Sequence, residues 1–421
     1  AGALGVKVFC WHTYNGYWAG LGGDKFKARY RIKDERFRFS PRYAPMVYGK
    51  GGDGGTTNTT ADANFFPLNL LSEACGFPQD PFYVFYGDFY DFLKKRGVAG
   101  VKVDAICWAE AFARGKGGRV KLMKSLVNGL ERAGGENFGG AYIGCSSMSN
   151  DFFYNAATGG VTRLSNDYVP GDPASHGRHV LENAHNSFWL RDILFPDWDM
   201  FQSGNTAGRY HAVARAVGGG PIYMTDEPGK QDYGVIKAAC ARDGSLPEAG
   251  LAAVTRDCLF EDGASSGKPV KIFNTAGRGF LLGAFNCRGD GGAVRGSLSV
   301  RDIEGISGGE YFVYGYFRGP VGKFTDGGSW SVSLGQYECD VFAVVPVLQG
   351  TAVVGLIDKY NAPGYVKSVE RYAAGLTVAL SDGGRLAVYS EKPPAGVSAA
   401  YEYKDKLIVI DAARGAVTVT F

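Results

Sequence analysis

A change of period constrains this chain more than any other feature of its sequence. From residue 5 to about 226, short apolar runs bounded by Gly or Pro alternate with longer segments of helical character. After about residue 270 the texture becomes apolar–polar alternation broken by turn residues, as in "EYFVYGYF", "SWSVSL" and "LTVALSDGGRLAVYS". Helices repeat every 3.6 residues and strands every two, so β and α elements in turn are expected first, and antiparallel strands afterwards. The candidate strands of the first part are "GVKVFC" at 5–10, "NFFPLNLL" at 64–71, "GVKVDAI" at 100–106, "AYIGC" at 141–145, "VTRLSND" at 161–167, "LFPDWDMF" at 194–201 and "GPIYMTD" at 220–226. Continuous apolar strands separated by helices imply a parallel sheet with helices on its outside. Seven such units fit an α/β (β/α)8 TIM barrel lacking one strand better than an open doubly wound sheet. The expected layout is a barrel over 1–265 and a C-terminal antiparallel β-sandwich over 266–421, joined through the Gly-, Ser- and Pro-rich stretch around residue 265.

In a TIM barrel the active site lies at the C-terminal ends of the strands. Polar residues gather there: Trp11, Asp104, Cys145, Asp167, Asp199 and Asp226. Asp104 alone could be a helix cap or an ion-pair partner of Lys102. A second carboxylate, Asp167, ends another strand, with Arg163 four residues upstream to orient it. Two carboxylates on different strand ends are what cleavage of a glycosidic bond requires, one attacking or activating water and the other protonating the leaving oxygen. Period two puts Lys102 on the same side as Asp104, where its charge would keep the carboxylate ionised. Asp197 and Asp199 flank Trp198 and fall on one face, suited to gripping sugar hydroxyls or to capping a helix.

Other motifs carry less. "HGRHVLENAH" spaces His176, His179, Glu182 and His185 by three, which resembles metal ligation on one helix face, but strict threes drift around a 3.6-residue helix. No metal and no cofactor are expected. The glycine clusters lack the features of a phosphate loop. "KFKARYRIKDERFRF" alternates cation with apolar residue and is expected to form a solvated edge strand with Lys25, Lys27, Arg29, Arg31 and Lys33 on one face.

Charge is nearly balanced, 45 basic against 42 acidic residues, which argues against nucleic acid or an anionic membrane and for a small, uncharged partner. No apolar run is long enough to span a bilayer. Eight scattered cysteines without CxxC spacing suggest reduced thiols. The start, "AGALGVKVFCW", shows no leader pattern, and a cytoplasmic location is expected. A strand so close to the first residue, with no Met before it, suggests that the chain opens inside a domain.

The motifs "WHTYNGYWAGL", "GVAGVKVDAICW", "GGRVKLMKSL", "RLSNDYVPGDPASHGRHV", "NSFWLRDILFPDWDMFQS" and "YHAVARAVGGGPIYMTDEPGKQDY", in this order, resemble glycoside hydrolase family 36. The resemblance is to the branch of plant-type alkaline α-galactosidases, seed imbibition proteins and raffinose synthases. It implies a retaining α-galactosyl hydrolase or transferase on a TIM barrel, with Asp104 as nucleophile and Asp167 as acid/base. It also implies that Trp11, Lys102, Cys145, Arg163 and Asp199 surround the galactose ring, and Trp18 of the first motif joins this substrate-binding set. Asn166 stands where the branch commonly has Asp, leaving the catalytic acid in place but removing a neighbouring charge. The family's N-terminal β-sandwich and first barrel strand have no counterpart in this sequence, so a fragment, a split gene product or a chain completed by a partner is expected, with an N-terminal complementing polypeptide or a homo-oligomer as the partner. The leading reading is an exo-acting retaining α-galactosidase acting on raffinose-type oligosaccharides. The alternatives are a raffinose synthase-like galactosyltransferase and a non-catalytic subunit.

Overall fold

A computed structural model of the chain describes residues 5–17, 20–36, 74–113, 116–157, 160–306 and 308–421. The strand expected at 64–71 and the candidate sugar-binding Trp18 lie outside them. The chain divides into two compact units, Ala1–Arg163 with Ile193–Phe195, and Leu164–Asp192 with Pro196–Phe421.

The first unit is built on parallel strands β1 (Val8–Thr13), β4 (Val98–Asp104), β5 (Tyr142–Gly144) and β6 (Val161–Arg163), hydrogen-bonded in that order. A short antiparallel pair, β2 (Lys33–Arg36) and β3 (Ala74–Phe77), lies apart from this sheet. Strand β7 (Phe195–Asp197) follows β6 in the parallel sheet. In β4 the period of two sends Val101 and Val103, both fully buried, to one face and Lys102 and Asp104 to the other. Helices α2 (Phe82–Lys94) and α3 (Arg119–Phe138) cover the apolar face. Their buried residues recur at helical spacing: Phe82, Phe85, Tyr86, Tyr90 and Leu93 on α2, and Leu122, Met123, Leu126, Val127 and Leu130 on α3. Gly129 lets the two helices close up, since a Cβ there would sit 2.7 Å from the Tyr83 nitrogen.

The basic alternating segment does not form the expected edge strand over its first half. Residues Asp24–Tyr30 form helix α1, and among the described residues of the segment only Lys33–Arg36 pair as a strand. The physical reason is an aromatic pair at i and i+4. Phe26 and Tyr30 stack at 6.1 Å, Tyr30 meets Phe85 edge-on at 5.5 Å, and Arg29 reaches Asp88 at 2.6 Å, so α2 holds the segment as a helix.

His12 at the end of β1 is buried; Nδ1 donates to the Thr13 carbonyl (2.7 Å) and Nε2 accepts from the Tyr90 hydroxyl (3.0 Å). Burial pushes its pKa from 6.5 down to about 4. The stability tied to this neutral imidazole is complete above the unfolded value and is lost as pH falls toward 4, because only the unfolded chain takes up the proton in that window. The full loss is about 3 kcal/mol. The urea midpoint should therefore fall between pH 7 and pH 5, and less steeply in His12→Gln; equal slopes in the two proteins would exclude this role.

The second unit holds helices α5 (Ser175–Leu190), α6 (Gly208–Gly218) and α7 (Tyr233–Ala239), while α4 (Asn150–Phe153) belongs to the first. Among the described residues no closed barrel is seen. The strand expected at 220–226 contributes only a parallel bridge between Met224 and Phe201, at a segment where Pro221 has no N–H to offer a ladder. A six-stranded antiparallel sheet follows. It contains β8 (Ala253–Val254), β9 (Val270–Ala276), β10 (Gly279–Phe285), β12 (Glu310–Gly315), β13 (Gly319–Thr325) and β15 (Cys339–Pro346). Residue 265 lies between β8 and β9, which pair with each other. One face of this sheet packs on α6 through Tyr210, Val213, Val217, Leu281, Phe285 and Val341. The other is covered by the pair β11 (Val294–Ser299) and β14 (Ser329–Leu334), with Leu298, Trp330, Leu282 and Phe342 between them. From Thr351 onward two four-stranded sheets face each other across Leu376, Val378, Leu386, Val388, Ile408, Ile410, Val417 and Val419, forming a β-sandwich. No helix of the described residues is long and apolar enough to cross a membrane.

Candidate active site

The C-terminal ends of β1, β4 and β5 are tied together by backbone hydrogen bonds: Tyr14 N to Asp104 O at 2.9 Å, Cys145 N to Val103 O at 2.8 Å, and Cys107 N to Ser146 O at 2.9 Å. Ala105 (φ 60) and Ser146 (φ 43) stand just past β4 and β5 in the left-handed region, where a non-glycine residue costs on the order of 1 kcal/mol. That conformation turns the chain sharply and leaves the carboxylate of Asp104 at the strand end. Each of its oxygens accepts a hydrogen bond, Oδ2 from Trp11 Nε1 at 3.0 Å and Oδ1 from the Ala105 backbone nitrogen at 2.6 Å. The parallel register sets Trp11 beside Lys102 and Thr13 beside Asp104. Trp11 remains 40% exposed and meets Tyr17 edge-on at 6.1 Å.

Cys145 is buried against the same carboxylate. Burial raises its thiol well above the ordinary range; the Arg163 and Lys102 charges oppose that rise and Asp104 adds to it. It is therefore a neutral thiol at physiological pH. The first unit thus gathers Trp11, Lys102, Asp104, Cys145 and Arg163: both cations and the Asp104 carboxylate act on the Cys145 thiol, and the indole donates to that half-buried carboxylate. Such a group can attack carbon, and the surrounding donors can hold hydroxyls.

In the second unit Asp167 sits in the loop after β6 and is half-buried. The residues around it are each held. Ser165 Oγ contacts His179 Nε2 at 3.1 Å, Asn166 N donates to Glu182 at 3.0 Å with its side-chain amide at 3.5 Å, and Tyr168 N donates to Asp199 at 2.8 Å. His179 and Glu182 are the helix residues whose spacing resembles a metal site in the sequence; the fold uses them to fix the loop that carries Asp167. His185 turns elsewhere, to the carbonyls of Leu181 and Cys258. No group of three or more His, Cys, Asp or Glu side chains among the described residues is arranged to hold a metal ion.

Asp199 is fully buried and adopts φ 65. Besides accepting from Tyr168 N, its carboxylate lies 3.4 Å from the Tyr223 hydroxyl and 3.7 Å from His179 Nε2. Tyr223 gives its one hydroxyl proton to Asp197 at 2.7 Å, and Asp197 accepts the Asp199 backbone nitrogen at 2.9 Å. Beneath them Arg215, fully buried, donates to the Asp199 and Met200 carbonyls at 3.1 and 3.0 Å and to His211 Nδ1 at 2.8 Å. Because the guanidinium can only donate, His211 Nε2 carries the proton and donates to His176 Nδ1 at 2.9 Å. Burial and the Arg215 charge hold His211 well below the usual histidine range, so this chain of rings is neutral. Burial lowers the Arg215 pKa to about 10 against the pull of Asp199 and Asp197, and it stays charged at neutral pH. The Ala105 amide on Asp104 in the first unit, and Tyr168, Tyr223 and Arg215 around Asp197 and Asp199 in the second, are groups that sequence reasoning did not find. Only the His176–His179–Glu182 spacing offered a signal.

Over residues 5–420 the chain matches the model of the family described as raffinose synthase or seed imbibition protein Sip1. It is 32% identical to the probable galactinol–sucrose galactosyltransferase 6 of Arabidopsis thaliana, a similarity covering 93% of this chain and 54% of that protein. It is 29% identical to the galactinol–sucrose galactosyltransferase of Pisum sativum, over 96% of this chain and 55% of that one. Stachyose synthase of Pisum sativum is 28% identical, over 92% and 48%. The chain therefore spans about half the length of the curated relatives it matches.

Proposed function

The chain belongs to the family of raffinose synthases and seed imbibition proteins, and on that premise we propose that it transfers a terminal α-galactosyl group by double displacement. Asp104 attacks the anomeric carbon, and Asp167 gives its proton to the departing oxygen. The galactosyl–Asp104 ester is then opened by an acceptor hydroxyl whose proton returns to Asp167, so the α configuration is kept. Trp11, Lys102, Cys145 and Arg163 hold the sugar against Asp104. The observation that carries this reading is the Asp104 carboxylate itself, gripped on both oxygens by N–H donors at the end of β4. Two directed hydrogen bonds fix the orientation of an attacking oxygen more tightly than a mobile ammonium could.

The acceptor separates transfer from hydrolysis. The sequence alone favours water, whereas relatives named as galactosyltransferases favour a sugar acceptor, and transfer to sucrose is the reading adopted. The test is product analysis with galactinol as donor, with and without millimolar sucrose. Raffinose should form faster than free galactose when sucrose is present. Galactose release that ignores sucrose would replace transfer by hydrolysis. Neither product from folded protein would remove the catalytic reading, and activity gained only on adding an N-terminal polypeptide would make the chain one subunit of the enzyme.

A further inference from the structure

The second unit contains a cavity of about 580 Å³ whose lining includes none of the residues given a catalytic or sugar-binding role above. Its walls come from four places: the loop of Ser203, Asn205 and Thr206 before α6, the first turns of α6 and α7, the end of the six-stranded sheet around Phe317, and the end of β14 with Tyr337 after it. We propose that this cavity is a second saccharide-binding site, for a neutral oligosaccharide of two or three rings.

The lining has the chemistry that sugars need. Arg209 lies with its guanidinium 5.9 Å from the centre of the Phe317 ring, and that guanidinium makes no hydrogen bond or ion pair among the described residues. Phe317 is 40% exposed, an apolar face open on the cavity wall. Asp232 uses one oxygen to cap α7, through Gly234 N at 2.8 Å and Val235 N at 3.1 Å. Vicinal hydroxyls suit a guanidinium and a carboxylate, and the C–H face of a pyranose suits a flat aromatic ring. The lining carries the acids Asp232, Glu338 and Asp340 against the cations Arg209 and Arg318, of which Arg318 is already paired with Asp340 at 2.6 Å. An acidic surplus repels phosphate and carboxylate ligands, which leaves a neutral polyol. The volume falls within the usual range for small-molecule sites, about 300–1,000 Å³.

The cavity wall is also joined to the loop that carries Asp167. Asn205 donates to the Pro170 carbonyl at 3.1 Å, and the Tyr337 hydroxyl donates to the Pro173 carbonyl at 3.0 Å. Tyr337 adopts φ 56, a left-handed conformation rare for an aromatic residue, with its ring edge-on to His176 at 5.4 Å. A ligand that orders Asn205 and Tyr337 therefore steadies the segment 165–174 from its far end. This coupling rests on the role given to Asp167; the binding does not.

Hydrogen–deuterium exchange of the full chain with 50 mM sucrose or raffinose tests both parts. Exchange in peptides covering 203–210 and 333–340 should slow at least threefold, with a smaller slowing over 165–174. The slowing over 203–210 and 333–340, and the share of that over 165–174 that comes through the cavity, should vanish in Arg209→Gln with Phe317→Ala, two exposed positions whose replacement leaves the core untouched. Unchanged exchange in these peptides, or protection that persists in the double variant, would overturn the proposal, as would protection by inorganic phosphate but not by sugar. The same measurement on Asp104→Asn keeps the two readings apart. Protection there stands whether or not the protein proves to be a transferase, and transferase activity without protection defeats this inference alone.

Discussion

Asp104→Asn is expected to lower the rate on an activated aryl α-galactoside by about 10⁴-fold, the scale on which loss of a covalent nucleophile is felt. Nearly the same volume remains, so the fold should persist. A modest loss of stability is expected, because both partners of Asp104, Trp11 Nε1 and Ala105 N, are donors. An amide has only one oxygen to offer them, and its NH2 must then face an N–H, at a cost of about 1–2 kcal/mol. Asp104→Gly goes further and opens space below the sugar. Azide added to that variant should restore turnover by attacking the anomeric carbon from the vacated face, giving a galactosyl azide of inverted, β configuration. An unchanged rate in Asp104→Asn, or rescue that gives an α-azide, would take the nucleophile role away from this residue.

The second large effect concerns stability. Arg215→Ala should destabilise the second unit by about 3–5 kcal/mol, the range found when one partner of a buried charge network is removed. The guanidinium serves the carbonyls of Asp199 and Met200 and the ring of His211, all without solvent to replace it. Its loss leaves the buried carboxylates of Asp197 and Asp199 with one fewer counter-charge. Arg215→Lys should recover only part, because a single ammonium cannot reach partners spread around a planar fork. Urea unfolding followed by tryptophan fluorescence gives the measurement, since Trp198 is buried in this region and hydrogen-bonded to Ser187 at 3.0 Å. A loss below about 1 kcal/mol would show that the network is not held together by Arg215.

Much of the architecture is legible because it is written in local periods. The run "GVAGVKVD" alternates so that two valines go inward and Lys102 and Asp104 share the opposite face, and the structure has that arrangement in β4. The change to antiparallel strands after residue 270 is legible for the same reason. The segment at 24–30 shows where such reading stops. Cations and apolar residues alternate there as in a strand, but Phe26 and Tyr30 are also four apart, and contact with Phe85 selects the helix. Two periods were compatible with the sequence, and a residue more than fifty positions away decided between them.

The sequence by itself determined the family, the change from β and α elements in turn to antiparallel strands, and the placement of Asp104 and Lys102 at a strand end, because these depend on neighbours a few positions away or on motifs many residues long. Only the tertiary structure decided how the side chains are used. Asp199, open in sequence to sugar binding or capping, is fully buried and holds the Tyr168 amide; His179 and Glu182, spaced like metal ligands, hold Ser165 and Asn166, the two residues before Asp167. A hydrogen bond needs its partners within about 3 Å, and for residues 14 to 31 positions apart that closeness is a product of the whole fold, with no local pattern to announce it.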